Sequence, residues 1–247
     1  MDPAAPYDTA LAVAQWTELK RVYEQLGHQI EEIHPLSGLP DMVFAANGAT
    51  VIDGKALAVQ FRDAERADEA PAYAGWLHSA GFDVTDAKAI NEGEGDILLA
   101  GNYILAGTGF RTSHASHSEV QELFGRPVIS LQLVDPRFYH LDTALAVLSH
   151  GNDGRPVNVA YLPEAFSAGS QAVLRQLFPN AVIATVADAE VLGLNAVSDG
   201  ETVVLPMQAV ALTAALEQAG YKTIGVDVSE LRLAGGGPKC CTLELRS

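Results

Sequence analysis

The sequence predicts an α/β protein of a single domain, residues 1–247, built as a pseudo-fivefold ring of ββαβ units. Three observations predict it: five amphipathic helical stretches, a strand-like run after each, and a spacing near 49 residues between equivalent points along the chain. At about 150 residues per domain, a chain of this length divides into one large domain or two small ones. A composition that is 48% hydrophobic supplies core for the single large one.

Apolar residues recurring at helical spacing predict helices over 8–26, 68–79, 116–124, 167–177 and 208–219, several opening on an Asp or Ser suited to capping. The strand-like runs that follow are HQIEEIHPL (28–36), FDVTDAK (82–88), RPVISLQLV (126–134), AVIATVA (181–187) and KTIGVDVS (222–229). A loop comes next. Four of the loops lead into hairpin-like sequence at 47–61, 95–109, 144–163 and 195–206, where Asp-Gly or Gly-Asn pairs satisfy the positive φ of tight turns. The fifth loop leads into CCTLELRS (240–247), read as the last strand, which completes the first unit.

Asn47, Asp96, Leu145, Asn195 and Cys240 mark the points where the loops enter these hairpins, and their separations are 49, 49, 50 and 45 residues. Units of one period that each pack on their neighbours close most simply into a ring. The competing arrangement is an open doubly wound sheet, which has no need of a hairpin in every unit.

Composition excludes several classes of function. With 31 acidic and 15 basic residues the net charge is −16, which repels phosphate backbones and anionic lipid, so neither nucleic acid nor a membrane is an expected partner. No apolar run reaches the roughly 18 residues needed to span a bilayer, and the first residues, MDPAAPYDTA, carry no leader pattern, so the expected location is cytoplasmic. The two cysteines are adjacent, which makes neither a disulfide framework nor a CxxC pair.

In a ring, corresponding loops meet at the axis. The first loop, LPDMVFAANG, brings Asp41 and Asn47; the second, NEGEGD, brings Glu92, Glu94 and Asp96; the third, DPRFYHLDT, brings His140 and Asp142; the fourth, LGLNAV, brings Asn195; the fifth, GGGPKCC, brings Cys240. A thiolate is the strongest side-chain nucleophile at neutral pH, histidine is the usual proton shuttle, and carboxylates orient the histidine or hold a cation. Carboxylates beside a thiol suit a planar, cationic, hydrogen-bond-donating substrate, and a guanidinium group fits that description best. Taken singly, each feature has a plain structural counterpart: a small buried cysteine, a flexible glycine run, a solvated acidic turn. Their shared phase in the repeat is what groups them.

At these residues the chain resembles the guanidine-modifying, amidinotransferase-fold (pentein) superfamily of arginine deiminases, dimethylargininases and amidinotransferases. The resemblance runs from DMVFAANG to GGGPKCCTLEL. It implies a fivefold ββαβ propeller with no metal and no organic cofactor; the oligomeric state, monomer or homodimer, stays open. It also implies roles: Cys240 as nucleophile, His140 as general acid/base, and Glu92 as the carboxylate that binds the guanidinium and supports the histidine. Asp96 is the second acid of that loop, and Glu94, in a loop one residue longer than the family pattern, is the alternative to Glu92. Arg66 and Arg111 match arginines that hold a substrate carboxylate, and Asp41 resembles a substrate-loop acid. Asn47 stands where the family carries an Asp, and Asp142, in a His-Leu-Asp run, supplies the charge that Asn47 lacks.

The expected activity is hydrolysis of the guanidino group of arginine or a methylated arginine to citrulline plus ammonia or an alkylamine. Two alternatives are transfer of the amidino group to an amine, and non-catalytic binding of guanidino metabolites. A third, a metal or redox site joining Cys240 and Cys241 to His114 and His117 of HASH, has only residue spacing behind it.

Overall fold

The computed structural model describes residues 8–151 and 154–246. In chain order the elements are α1 (Thr9–Gln25), β1 (Ala49–Ile52), β2 (Lys55–Ala58), α2 (Ala70–Ser79), β3 (Asp83–Thr85), β4 (Ile97–Ala100), β5 (Tyr103–Thr108), α3 (Ser116–Phe124), β6 (Val128–Gln132), α4 (Leu141–Ala144), β7 (Leu145–Ser149), β8 (Asn158–Tyr161), α5 (Ala168–Leu177), β9 (Val182–Ile183), α6 (Val186–Glu190), β10 (Val197–Ser198), β11 (Thr202–Pro206), α7 (Val210–Gln218), β12 (Lys222–Val226) and α8 (Ser229–Leu233).

The strands form separate three-stranded sheets, β1-β2-β3, β4-β5-β6, β7-β8-β9 and β10-β11-β12, and not one open sheet. Each repeats one plan. The first pair is an antiparallel hairpin and the second pair is parallel, joined through a helix. The first hairpin turns at Asp53 and Gly54, with φ of 51° and 75°, the left-handed pair that matches strand twist. In the third hairpin, Asn152 and Asp153 of the expected turn lie outside the described residues. First strands of successive sheets pack side by side, β1 on β4, β4 on β7 and β7 on β10. Among the central strands, β2 contacts both α2 and α3.

Two expectations are corrected here. Residues 28–36 and 240–246 are not strands, and neither pairs with a sheet. A strand exists only where a neighbour accepts its ladder of hydrogen bonds, and among the described residues neither segment has one. Around them α1, capped by Asp8 accepting from the Leu11 N–H, lays Leu19, Val22 and Tyr23 against Val204, Val226, Val228 and Leu231. Ser247, the end of the expected last strand, lies outside the described residues.

Candidate active site

The five loops are tied to one another in sequence by hydrogen bonds. Asn47 Nδ2 donates to the Glu92 carbonyl at 3.1 Å, and the Leu141 N–H donates to Asp96 Oδ1 at 2.9 Å. Asn195 Nδ2 donates to the Asp142 carbonyl at 3.2 Å, the Cys240 N–H to Asn195 Oδ1 at 2.9 Å, and the Ala46 N–H to the Cys240 carbonyl at 3.0 Å. The last bond returns to the first loop. Residues 45 to 53 apart in sequence, and the first and last loops, are thereby brought within one bond of each other.

Cys240 is buried, and its thiol donates to Asp142 Oδ2 at 3.3 Å and accepts from Asn195 Nδ2 at 3.0 Å. Asn195 Oδ1 accepts the backbone N–H groups of both Gly237 and Cys240, at 3.0 and 2.9 Å, so the amide can face the sulfur only with its NH2 end. Leu192, at φ 58°, folds the fourth loop so that the Asn195 N–H closes on the Leu192 carbonyl at 2.9 Å. A left-handed leucine costs about 1 kcal/mol or more, which places strain beside the residue that holds the nucleophile. Gly237 is needed for the same contact, because a Cβ there would lie 2.9 Å from Asn195 Oδ1.

His140 donates from Nε2 to Glu92 Oε2 at 2.6 Å, with both groups buried. Burial disfavours charge on each. The hydrogen bond and the opposite charge of the partner outweigh it, holding Glu92 at about 2 and pushing His140 above its ordinary value. Asp96, Glu92 and Asp142 all add to the upward push on the histidine. The pair therefore rests as imidazolium and carboxylate.

Asp142 is fully buried and raised to about 6 by that burial, against the charges of His140 and Lys239. Its Oδ1 is a buried polar atom with no hydrogen-bond partner. An acceptor in that state is paired by a ligand or by water, and a guanidinium N–H is the strongest donor it could meet. The Cys240 thiol is raised well above its ordinary value, first by burial and then by the Asp142 charge, so sulfur rests as S–H. Cys241 is pushed up to about 12 by burial and then by the Asp142 charge.

The other expected residues divide. Glu94 is turned away: its oxygens take Lys239 Nζ at 2.5 Å, Arg246 Nη1 at 2.5 Å and the Glu244 N–H at 3.0 Å, so it anchors the C-terminal segment, and Glu92 alone meets the histidine. Asp96 spends both oxygens on backbone, Oδ1 on Leu141 and Oδ2 on the Thr112 N–H at 3.1 Å, and positions the histidine loop from behind. Arg66 is clamped by Glu69 at 3.0 and 2.8 Å and donates to Asn47 Oδ1 at 2.7 Å and to the Asp41 carbonyl at 3.1 Å, which leaves it occupied in this structure. Arg111 stays half-exposed over the Tyr139 ring, 2.6 Å from Asp63 and 3.5 Å from Glu92. Asp41 sits on the short helical turn Pro40–Val43, part-buried. His117 of HASH is bonded to Ser130 Oγ at 2.7 Å and to the Gly107 carbonyl at 3.3 Å, and contributes nothing to the thiol cluster.

The phase of the repeat brings Asn195 to the axis without giving it a role, and the structure supplies one; Lys239 and Tyr139 are site residues that the sequence reading did not single out. Lys239 directly precedes the nucleophile. The Tyr139 ring lies 4.9 Å from that of His140, and its hydroxyl donates to the Gly235 carbonyl at 3.3 Å.

No protein-family model matches the chain. Over 245 residues, which span 99% of this chain and 79% of the relative, it is 50% identical to the N(G),N(G)-dimethylarginine dimethylaminohydrolase of Mycobacterium tuberculosis. It is 33% identical over 240 residues to the bifunctional arginine dihydrolase/ornithine cyclodeaminase ArgZ of Synechocystis, covering 95% of this chain and 33% of that longer protein. The substrate-bound N-terminal domain of ArgZ superposes with a TM-score of 0.92 at 32% identity, over 98% of this chain and 89% of that one. A dimethylarginine dimethylaminohydrolase adduct with S-methyl-L-thiocitrulline shares the fold, with a TM-score of 0.83 at 20% identity over 98% of this chain and 92% of that one. Extent and identity together show that the chain belongs to the dimethylarginine dimethylaminohydrolase family of the amidinotransferase superfamily, hydrolases of guanidino C–N bonds.

Proposed function

We propose that this protein hydrolyses the guanidino group of arginine or a methylated arginine through a covalent Cys240 intermediate, giving citrulline and ammonia or an alkylamine. One observation carries the reading: the Cys240 thiol, the unpartnered Oδ1 of Asp142 and the His140–Glu92 pair meet in one buried cluster. We also read the five bonded loops as the axial ends of five units in a single-domain ring.

A guanidinium entering this cluster pairs with Asp142 and brings a positive charge beside sulfur, which favours the thiolate that burial otherwise disfavours, the S–H proton being lost to solvent as the substrate binds. The N–H of Asn195 is already in place to donate to that thiolate. Sulfur attacks the guanidinium carbon. The His140 imidazolium, held charged by Glu92, gives its proton to the departing amine as the C–N bond breaks, leaving an S-linked thiouronium. Neutral His140 then takes a proton from water, whose oxygen attacks the same carbon. The C–S bond breaks with its electron pair on sulfur, and the ureido product leaves. The carboxylates act by charge already in position and need no rearrangement during the reaction. Arg111, at the half-exposed edge, is the group suited to a substrate α-carboxylate; Arg66 joins it only if Glu69 releases it.

The test is ureido-product formation from arginine, monomethylarginine, dimethylarginine and agmatine, run with wild type and Cys240→Ser. Turnover of at least one arginine, reduced by about 10⁴-fold or more in the variant, is the expected result. Turnover that survives in Cys240→Ser, or product formed only when an amine acceptor is added, would overturn it.

A further inference from the structure

Two cationic side chains share one oxygen of Glu92. Its Oε2 accepts from His140 Nε2 at 2.6 Å and from Arg111 Nη1 at 3.5 Å, while Oε1 accepts the Arg62 N–H at 3.3 Å. The place of Arg111 beside this carboxylate is built into the backbone. Thr112, the next residue, accepts the Glu92 N–H at 3.1 Å and gives its own N–H to Asp96 Oδ2 at 3.1 Å. Arg62 Nε donates to the Arg111 carbonyl at 3.0 Å. The guanidinium lies over the Tyr139 ring, 4.8 Å from its centroid, and the same ring stands 4.9 Å from that of His140.

Arg111 has bonding capacity left. Its Nη1 lies 2.6 Å from Asp63 and 3.5 Å from Glu92, whereas Nε and Nη2 make no hydrogen bond among the described residues. That edge can take a further carboxylate as a two-pronged fork without displacing Asp63.

The electrostatic consequence follows from the shared oxygen. A permanent cation close to Oε2 draws on the negative charge that keeps the imidazole protonated, and it repels the proton as well. A carboxylate added on the Nε–Nη2 edge offsets that cation. The other titratable groups around His140 are Asp96 and Asp142, which favour its proton, the Tyr139 hydroxyl, and the Cys240 thiol bonded to Asp142. Of the groups around the histidine, Glu92 and Tyr139 are the ones that Arg111 touches.

We propose that Arg111 is a positioning residue that couples recognition of the substrate's α-carboxylate to the proton on His140. In the free protein it shares Glu92 with the imidazole and weakens the hold on that proton. Once the substrate carboxylate meets its charge, Glu92 serves the imidazole alone, and the proton is held for the departing amine. The inference rests on the reading of this site as one for arginine-type substrates. It adds that the substrate's carboxylate acts on proton transfer and not on affinity alone.

The test is the titration of His140 by imidazole NMR in Cys240→Ser, which holds substrate without rapid turnover. The chain has seven histidines, and the signal missing from His140→Gln assigns this one. The ligands are arginine and agmatine, which carry the same guanidino group and differ in the carboxylate. Without ligand, Arg111→Gln should move the His140 midpoint up by about half a pH unit or more, and Arg111→Lys, which keeps the charge, should leave it with the parent. With ligand, the midpoint should lie higher for arginine than for agmatine by a similar amount, and Arg111→Gln should close that gap. In wild-type turnover the alkaline limb of kcat should likewise lie at higher pH for arginine than for agmatine, which an anchor acting on KM alone does not give. A midpoint unmoved or lowered in Arg111→Gln, or equal midpoints with arginine and agmatine in the parent, would overturn the proposal. The ligand-free comparison is decided whether or not the protein is a hydrolase, whereas failure of the catalytic reading appears as absence of ureido product, so the two failures are told apart.

Discussion

Glu92 and Glu94 are two residues apart on one loop, both buried, and they do opposite things. Glu94 is saturated by Lys239, Arg246 and a backbone N–H. Glu92 pairs with His140, whose charge can change, and beyond them lie a thiol and an acceptor with no partner. The difference teaches how to separate a structural buried ion pair from a catalytic one. A structural pair uses all its hydrogen-bonding capacity on fixed groups, whereas a catalytic pair includes a titratable member and faces an unsatisfied atom.

The sharpest way to break this comparison is Glu92→Gln. Removing the charge that holds His140 protonated should cost about 10²–10⁴ in kcat, the range of a general acid/base contribution. It should also move the alkaline limb of the pH–rate profile to lower pH, because the raised pKa of His140 then falls. A profile displaced upward, or activity within a factor of a few of wild type, would show that the two carboxylates had been misassigned.

Glu94→Gln should do the converse. It removes the nearest carboxylate charge from buried Lys239 and leaves it the Thr242 carbonyl and Glu244 at 3.9 Å, so the loss should approach the roughly 3–5 kcal/mol of a broken buried ion pair, read by urea or thermal unfolding. The alkaline limb of the variant that remains folded should stay where it is in wild type. A moved limb would place Glu94 in the proton path.

Asp142 gives the smallest and most specific effect. Its folded pKa of about 6 lies above the ordinary 3.8, so the fold favours the protonated form. Stability is then free of this penalty below about 4, declines as pH rises from there through 6, and stays lowered above. Asp142→Asn should therefore gain up to about 3 kcal/mol at pH 7 and nothing at pH 4, while losing guanidinium binding. Glu92, held at about 2, runs the other way: it contributes stability above its unfolded value of 4.5, and that contribution is lost as pH falls from 4.5 through 2. Unfolding titrations of the two single variants, Asp142→Asn and Glu92→Gln, should show pH dependences of opposite sign.

Much of this was legible in the chain. The helix at 116–124 begins and ends where its apolar spacing places it, and the other four predicted helices lie within two residues of the observed ones. Hairpin turns were visible because Asp-Gly and Gly-Asn pairs state a local backbone preference that tertiary structure has no reason to override. Less legible were long-range pairings. Glu69 lies three residues from Arg66, a spacing that signals an ion pair on a helix, yet whether that arginine turns to Glu69 or to a ligand depends on Asn47 across the fold. Residues 28–36 and 240–246 have the composition of strands without being strands, because ladder formation belongs to pairs of segments and not to one.

By itself the sequence determined the repeat, the helices, the turns, the acidic surface and the residue types of the chemistry. These rest on interactions within a few residues or on summed charge, which a linear string contains in full. Tertiary structure decided which of several similar side chains does the work. It chose Glu92 over Glu94, set Asn195 against the sulfur, and left one oxygen of Asp142 without a partner. Those outcomes depend on the distance and direction between groups 45 or more residues apart, and on how burial weighs each charge.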